Sequence, residues 1–345
     1  MDQIPCLQYA VHTTTAEFPI VAMSCLIVHD VLLMSARACP KVAAVMDTTH
    51  QELSHLLDVC TPGDGVHKTP VPGVYCIKVS TPARRSKDRW RASLSIVVQG
   101  AKEIVLGRRV FRMTEGQYVA TPIQLPVISR VAAATAAKPF LCLMIDVDPL
   151  AISEVSTRLM SESTQEQLSP VRAMFSGVAP ERMLEAAARL VRLFRTPEDA
   201  AVLGALVIKE LLYLLMKGPQ GAAIRQFVHS GSKTHQISHA IHALESELER
   251  DVDVPALAKT ANMSRSAFFK HFKEVTAMSP IQYQKRLRLH EARRLMIETG
   301  ESAESSSFKV GYKSASQFSR EYSRMFGIPP ARDAAKMKRS AQVTA

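Results

Sequence analysis

No histidine stands between His67 and His229, and no cysteine follows Cys142. The first absence removes the inward-facing imidazoles that a His-ligated metal barrel in the N-terminal half would need. The six cysteines, Cys6, Cys25, Cys39, Cys60, Cys76 and Cys142, form no C-x-x-C pair and lack a histidine at ligand spacing. They read as small apolar core thiols in a reducing compartment, not as a zinc site or a disulfide framework. Lys and Arg are missing from residues 1–28, which denies the chain the basic start of a secretory signal. From Phe18 to Met34 the sequence is apolar but broken by Pro19, His29 and Asp30, which argues against a spanning helix. No nucleophile with a base beside it emerges, no cofactor or metal set is expected, and the chain is not read as an enzyme.

What is present is charge of one sign, gathered at one end. The 345 residues, 47% of them hydrophobic, suffice for two domains with ample cores, and the net charge is +11. Residues 262–345 hold 16 Lys and Arg against 7 Asp and Glu, which carries most of that excess. Clustered positive charge gains free energy on a polyphosphate by releasing condensed counterions, so this end points to nucleic acid. At the other end, Met46 reads as a second start, followed by Asp47, Gln51 and Glu52 and a helical Leu53, Leu56, Leu57 pattern. Residues 1–45 are therefore expected to be a dispensable extension.

After a Pro/Gly-rich loop from Pro62 to Gly73, short β-prone runs follow at Val74–Val79, Leu94–Val98, Glu103–Leu106, Gln117–Ala120, Val127–Ala132 and Phe140–Ile145. Their spacing predicts an antiparallel barrel or sandwich, with turns at Gln99-Gly100 and Gly107-Arg108. Beyond Pro149 the periodicity is helical. Met183, Ala187, Leu190 and Phe194 make one stripe, and Thr196-Pro197 opens a helix from Ala200 to Met216, with Thr196 as its N-cap. That helix is apolar nearly all round, which leaves two readings open: packing on the barrel or a dimer seam. Residues 46–217 are assigned to a β-rich domain with C-terminal helices, 218–232 to a Gly, Pro and Ser-bearing linker, 233–335 to an all-α domain and 336–345 to a disordered basic tail.

The all-α segment repeats itself at an offset of 50. Ser264, Phe268, Lys270, Phe272, Ala277 and Pro280 are answered by Ser314, Phe318, Arg320, Tyr322, Gly327 and Pro330. In each copy a short helix, a tight turn and a Ser-capped second helix with two aromatics four apart make a helix-turn-helix unit. The outer face of the first second-helix carries Arg265, Ser266, Phe269, Lys270 and Lys273, and that of the second carries Ala315, Ser316, Ser319 and Arg320. Pro280 opens a connecting helix, and a rigid connector would set the two outer faces about one DNA turn, roughly 34 Å, apart. Ser307, within Ser305-Ser306-Ser307, is able when buried to bond back to the carbonyl one turn earlier, which weakens its helix and is expected to soften the second unit.

The run Gly311-Tyr312-Lys313-Ser314 through Phe318-Ser319-Arg320-Glu321-Tyr322 and Met325-Phe326-Gly327, with Pro330 after it, resembles the signature of AraC/XylS-type transcription regulators. Met263-Ser264 through Phe272-Lys273, with Ser279-Pro280, resembles the first helix-turn-helix of that family, and the likeness covers about residues 237–332. Ser95 to Lys102, Gly107 and Leu125-Pro126 are similar to the cupin-like N-terminal domain of one branch. The resemblance implies an α+β chain, with a cupin-like antiparallel β-barrel and helices followed by two helix-turn-helix motifs. It implies a cytoplasmic, nucleoid-associated bacterial regulator that binds promoter DNA and a small-molecule effector in its barrel. RNA polymerase, if it is an activator, and a second copy of the chain are the other partners expected.

Lys270 and Arg320, one turn into each reading helix, are expected to touch DNA. Ser266, Phe269, Ala315, Ser316 and Ser319 are placed to meet base edges, with extra core packing against the connecting helix as the alternative for Phe269. Arg265, Lys273, Lys313 and Arg324 are expected on the phosphate backbone. Trp90, Gln99 and Arg130 are the candidate effector contacts, against a plainer reading in which Trp90 anchors a strand and Arg84 to Arg91 is a solvated loop. A DNA-repair transferase sharing the helix-turn-helix module would need a reactive cysteine, and none lies beyond Cys142. An architectural DNA binder without an effector remains the alternative, and a barrel isomerase a more distant one.

Overall fold

The computed structural model describes residues 40–82, 86–160, 172–229 and 231–343. Contacts divide the chain into residues 1–47 and 48–345, and the second unit is the subject below. The N-terminal stretch, except for the helical backbone of residues 40–45, lies outside the described residues, so its expected dispensability is not addressed. Helix α1, Pro40–Val59, runs through Met46 and presents Leu53, Leu56 and Leu57 to the core.

All six expected strands form, and four others join them. Strands β1 (Gly65–Lys68), β2 (Val74–Val79), β9 (Phe140–Asp146), β4 (Ser93–Gln99), β7 (Gln117–Thr121) and β10 (Phe175–Val178) make one sheet in the order β1-β2-β9-β4-β7-β10. Strands β3 (Ser86–Trp90), β8 (Leu125–Ala133), β5 (Ala101–Leu106) and β6 (Arg109–Thr114) make a second, in the order β3-β8-β5-β6. All their pairings are antiparallel.

The expected barrel is thus two sheets that do not close. The chain passes from one to the other at Gly100, at φ +79°, just after the β4–β9 register shift between Val97 and Gln99, and among the described residues each sheet keeps two edge strands. Two loop readings are corrected with it. Val66, His67 and Lys68 within the Pro62–Gly73 segment pair with β2, and Ser86 to Trp90, expected in a solvated loop, pair with β8 as an edge strand. Short edge strands of mixed composition carry little hydrophobic alternation, which is why the sequence hid them.

Helix α2 (Pro149–Met160) follows the sheets, then α3 (Glu181–Arg192) and α4 (Pro197–Lys217) pair against each other. Pro197 opens α4 as expected, but the Thr196 side chain caps nothing. Helix α4 buries Ala200, Gly204, Leu211, Leu212, Leu214, Leu215 and Met216, while Val202, Leu206 and Tyr213 on its other side remain exposed. Its apolar surface is therefore divided between packing and solvent. The expected linker contains a helix, α5 (Gly221–Arg225), with Ile224 and Phe227 buried.

The C-terminal domain comprises α6 (Lys233–Ser246), α7 (Val254–Thr260), α8 (Arg265–Thr276), α9 (Pro280–Arg294), α10 (Ala303–Lys309), α11 (Ala315–Phe326) and α12 (Pro330–Val343). A π-turn, Leu295–Thr299, continues α9. The tail expected to be disordered extends α12 to Val343: Pro330 starts that helix and Ala331, Ala334 and Ala335 favour it.

Two cores result. One runs without interruption from α1 through both sheets into α6, α7, α8 and the first half of α9. A smaller one holds Leu289, Ala292, Met296, Val310, Tyr312, Phe318 and Tyr322. The first helix-turn-helix unit thus shares the core of the sheets, whereas the second has a core of its own.

Candidate nucleic-acid interface

Helices α8 and α11 are built alike. Ser264 accepts a hydrogen bond from the Ala267 N–H and Ser314 one from the Gln317 N–H, so each helix starts at a side-chain cap. Phe268 and Phe272 in one, Phe318 and Tyr322 in the other, are fully buried, each worth about 1.5–3 kcal/mol of apolar burial. Both helices end on a left-handed residue, Ala277 at φ +61° and Gly327 at φ +78°. Pro280 and Pro330 then open the next helices, the first behind a complete Ser279 and Gln282 capping box.

The echo is not perfect at the turns. Met263 N–H bonds the Ala258 carbonyl as Tyr312 N–H bonds that of Ser307, an offset of 49, while the caps Ser264 and Ser314 stand 50 apart. The second turn therefore holds one extra residue, Lys313. Gly311, at φ +86°, takes the bend, and a Cβ there would overlap the Glu249 carbonyl oxygen. Arg288 fastens the connecting helix α9 to the α6–α7 loop at this place. Its guanidinium donates to the carbonyls of Leu248 at 2.6 Å, Glu249 at 3.1 Å and Arg250 at 2.7 Å.

In the second unit Tyr312, Phe318, Tyr322 and Phe326 form a chain of ring contacts with centroids 4.5–5.4 Å apart. Beneath it, buried Asp333 accepts the Tyr322 hydroxyl at 2.7 Å and the Arg293 guanidinium at 2.8 and 3.2 Å. This contact pushes the Tyr322 phenol further up, after burial. Ser307 is buried and its hydroxyl bonds back to the Glu304 carbonyl at 2.7 Å, as expected, while the equally buried Ser306 hydroxyl meets no partner among the described residues.

Residues 70–223 match the sequence-family model for the AraC-type transcriptional regulator N-terminus, and residues 257–335 match a helix-turn-helix domain model. The chain belongs to the AraC type of transcriptional regulators. It is 32% identical over 92 residues to the lactose operon transcription activator of Staphylococcus xylosus, spanning 27% of this chain and 33% of that protein. It is 25% identical over 144 residues to the HTH-type transcriptional regulator ArgR of Pseudomonas aeruginosa, spanning 42% and 44% of the two chains. The chain thus aligns with less than half the length of these relatives. A structure of ToxT from Vibrio cholerae superposes with a TM-score of 0.55 at 11% identity, over 76% of this chain and 96% of that one. A structure of ToxT with a bound unsaturated fatty acid superposes with a TM-score of 0.51 at 11% identity, over 75% and 92%. Both are likenesses of fold.

In this AraC-type frame, Arg265, Ser266, Lys270 and Lys273 are exposed along one side of α8, and Phe269 is half-buried against the large core. On α11, Ser316 and Arg320 are exposed, with Ala315 and Ser319 half-buried beside them. Lys313 is exposed and paired with Asp251 at 3.0 Å, a surface contact worth about 0–1 kcal/mol and readily exchanged for a phosphate. Arg324 sits at the edge of α11 that turns toward the sheets, where its carbonyl accepts from the Lys87 ammonium at 3.4 Å.

Trp90, Gln99 and Arg130 are not brought together. Lys102 lies over the Trp90 ring at 4.9 Å, and Arg130 pairs with Glu103 at 2.7 Å. Gln99 accepts from Ser54 of α1 and donates to the Pro139 carbonyl at 2.7 Å. Each has a structural task.

The junction of sheets and helices offers what the sequence did not suggest. Arg89 pairs with Glu291 at 3.0 Å, and the Tyr283 hydroxyl lies 2.6 Å from the Gln124 carbonyl and 3.0 Å from the Glu245 carboxylate. Beside these contacts is a cleft of about 330 Å³, walled by Pro126, Ile128, Met278, Leu289 and Met325, with Lys87, Lys285 and Arg286 at its margin. Lys285 is matched by Glu321 at 2.6 Å. Arg286 has no such partner among the described residues. Burial lowers it, and burial together with the Arg286 charge lowers Lys87. No periodicity in the sequence joins residues 87 and 286, which only the folding of β3 against α9 brings together.

Proposed function

We propose that this chain is a sequence-specific DNA-binding transcription regulator in which α8 and α11 read successive major grooves. The observation that carries the reading is the pairing of two alike-capped helices, each with two buried aromatics and a cation one turn from its start, joined by the single connecting helix α9. Lys270 and Arg320 are the central contacts, and Ser266, Phe269, Ala315, Ser316 and Ser319 face base edges. Arg265, Lys273, Lys313 and Arg324 hold phosphates. Selection from random duplexes by the full chain tests this: the reading expects a preferred bipartite site, and retention of random sequence alone at physiological salt refutes it.

The effector is proposed to enter the cleft between sheets and helices, not to contact Trp90, Gln99 and Arg130. The bound fatty acid belongs to ToxT, and what supports a similar ligand here is chemistry: apolar walls with Lys87 and Arg286, neither paired with a carboxylate among the described residues, while the one lining carboxylate, Glu321, is taken by Lys285, suit an amphipathic acid. Long-chain acids should raise the melting temperature of the wild type and raise it much less for Arg286→Ala. Absence of any shift across acids and neutral metabolites favours the architectural reading. The exposed Val202, Leu206 and Tyr213 stripe of α4 is proposed as the contact with a second copy, and RNA polymerase as the partner if the protein activates. No catalytic step is proposed.

A further inference from the structure

A second cleft, of about 420 Å³, opens where the β5–β6 turn meets the end of α8. Arg108 from the turn, Arg109 from the start of β6, Arg172 from the segment before β10 and Lys273 from α8 stand around it. All four are exposed, and none has an ion-pair or hydrogen-bond partner among the described residues. Glu274 is the one carboxylate in the lining, and it is already engaged with His271 at 3.0 Å. Leu106, Phe111 and Val275 form the floor.

Two backbone contacts fix this group of cations to the reading helix. The Ala173 N–H donates to the Val275 carbonyl at 3.1 Å, which places Arg172 beside the last turn of α8. Gly107, at φ +62°, lets the β5–β6 turn approach so closely that a Cβ there would stand 2.7 Å from that of Ala277. Helix α8 has 12 residues, about 18 Å at 1.5 Å each, whereas the major groove is about 12 Å wide. With its first turns on the bases, the last turn of α8 has to rise over the bordering sugar-phosphate strand. The uncompensated arginines lie there.

The geometry points to a third DNA contact, made by the sensor domain itself: Arg108, Arg109 and Arg172 grip the phosphates flanking the half-site read by α8. This rests on the DNA-binding reading above. It assigns the β5–β6 turn a function no helix-turn-helix motif supplies. It also gives the sheets a direct influence on affinity, because any shift of the turn against α8 moves these cations relative to the phosphates.

The test uses the full chain and a duplex selected by it, with affinity measured by fluorescence anisotropy between 50 and 300 mM KCl. Each lost phosphate contact should lower the slope of log K against log salt by about 0.9. Arg108→Ala with Arg109→Ala should lower it by about 2, leave the preferred sequence unchanged, and unfold at the wild-type temperature. Trimming the duplex on the α8 side should erase the difference from wild type. An unchanged slope in the double variant, with wild type binding its site, overturns the proposal. So does an unchanged slope accompanied by lost thermal stabilisation from free inorganic phosphate, which would make the cleft a small-anion site. Failure of the wild type to select any site, with Lys270→Ala and Arg320→Ala equally without effect, defeats the DNA-binding reading instead.

Discussion

Ala277 is the residue that breaks the symmetry of the repeat most simply. It adopts the same left-handed conformation as Gly327 but carries a Cβ, which costs about 1 kcal/mol where glycine costs nothing. Ala277→Gly should therefore raise stability by about 0.5–1 kcal/mol in urea unfolding. Gly311→Ala should do the opposite, by about 1–3 kcal/mol, since both its φ and the Glu249 carbonyl oppose a side chain. His290 supplies the pH dependence. Burial first, then the charges of Arg293, Arg89, Arg286 and Lys87, push it from 6.5 down to about 3. The unfolded chain takes up this proton near pH 6.5 and the folded chain only near 3. The penalty is absent above pH 6.5 and grows as pH falls toward 3, by about 1.4 kcal/mol per unit. Comparing unfolding at pH 7.5 and 5.5, His290→Leu should remove about that much of the loss. Equal losses in both proteins would show that other groups carry it.

At the scale of elements, the amphipathic helices were legible because each has one strong local signal. Ser264 and Ser314 cap, Pro280 and Pro330 start, and aromatics four apart mark the buried side. Strands β1, β3, β6 and β10 were not legible: all four are sheet edges, and few of their residues are buried, as in Arg109 to Thr114. The softness expected of the second unit acquires a second cause. Ser306 buries a hydroxyl with no partner, so Ser306→Ala should stabilise by about 1 kcal/mol, while Ser307→Ala, exchanging a self-satisfied hydroxyl for better helix propensity, should change stability by less than roughly 0.5 kcal/mol. Denaturation of the second unit, followed at Tyr312 and Tyr322 in wild type and in each variant, measures both effects. Helix α4 yields another expectation. Leu206→Glu, on its exposed stripe, should leave folding intact and shift sedimentation from dimer to monomer. A chain that is monomeric before the substitution contradicts the proposed contact.

For the whole molecule, the important division is not between a sensor and a DNA-binding domain. The large core passes through both sheets into α8 and half of α9, and only the second unit packs separately. The two domains were readable from composition, periodicity and repeat, but their fusion was not, because it depends on contacts such as Tyr283 with Gln124 across 159 residues. From this continuity we expect the first unit to dominate binding: α8 packs in the body that would sense the effector, whereas α11 depends on its own small aromatic core. The most direct test is to select binding sites with wild type, Lys270→Ala and Arg320→Ala in parallel. The account predicts a bipartite site with halves about 10 base pairs apart. Lys270→Ala should blur one half and weaken binding more, and Arg320→Ala should blur only the other. Both substitutions blurring the same half, or neither altering the selected sequence, would contradict it.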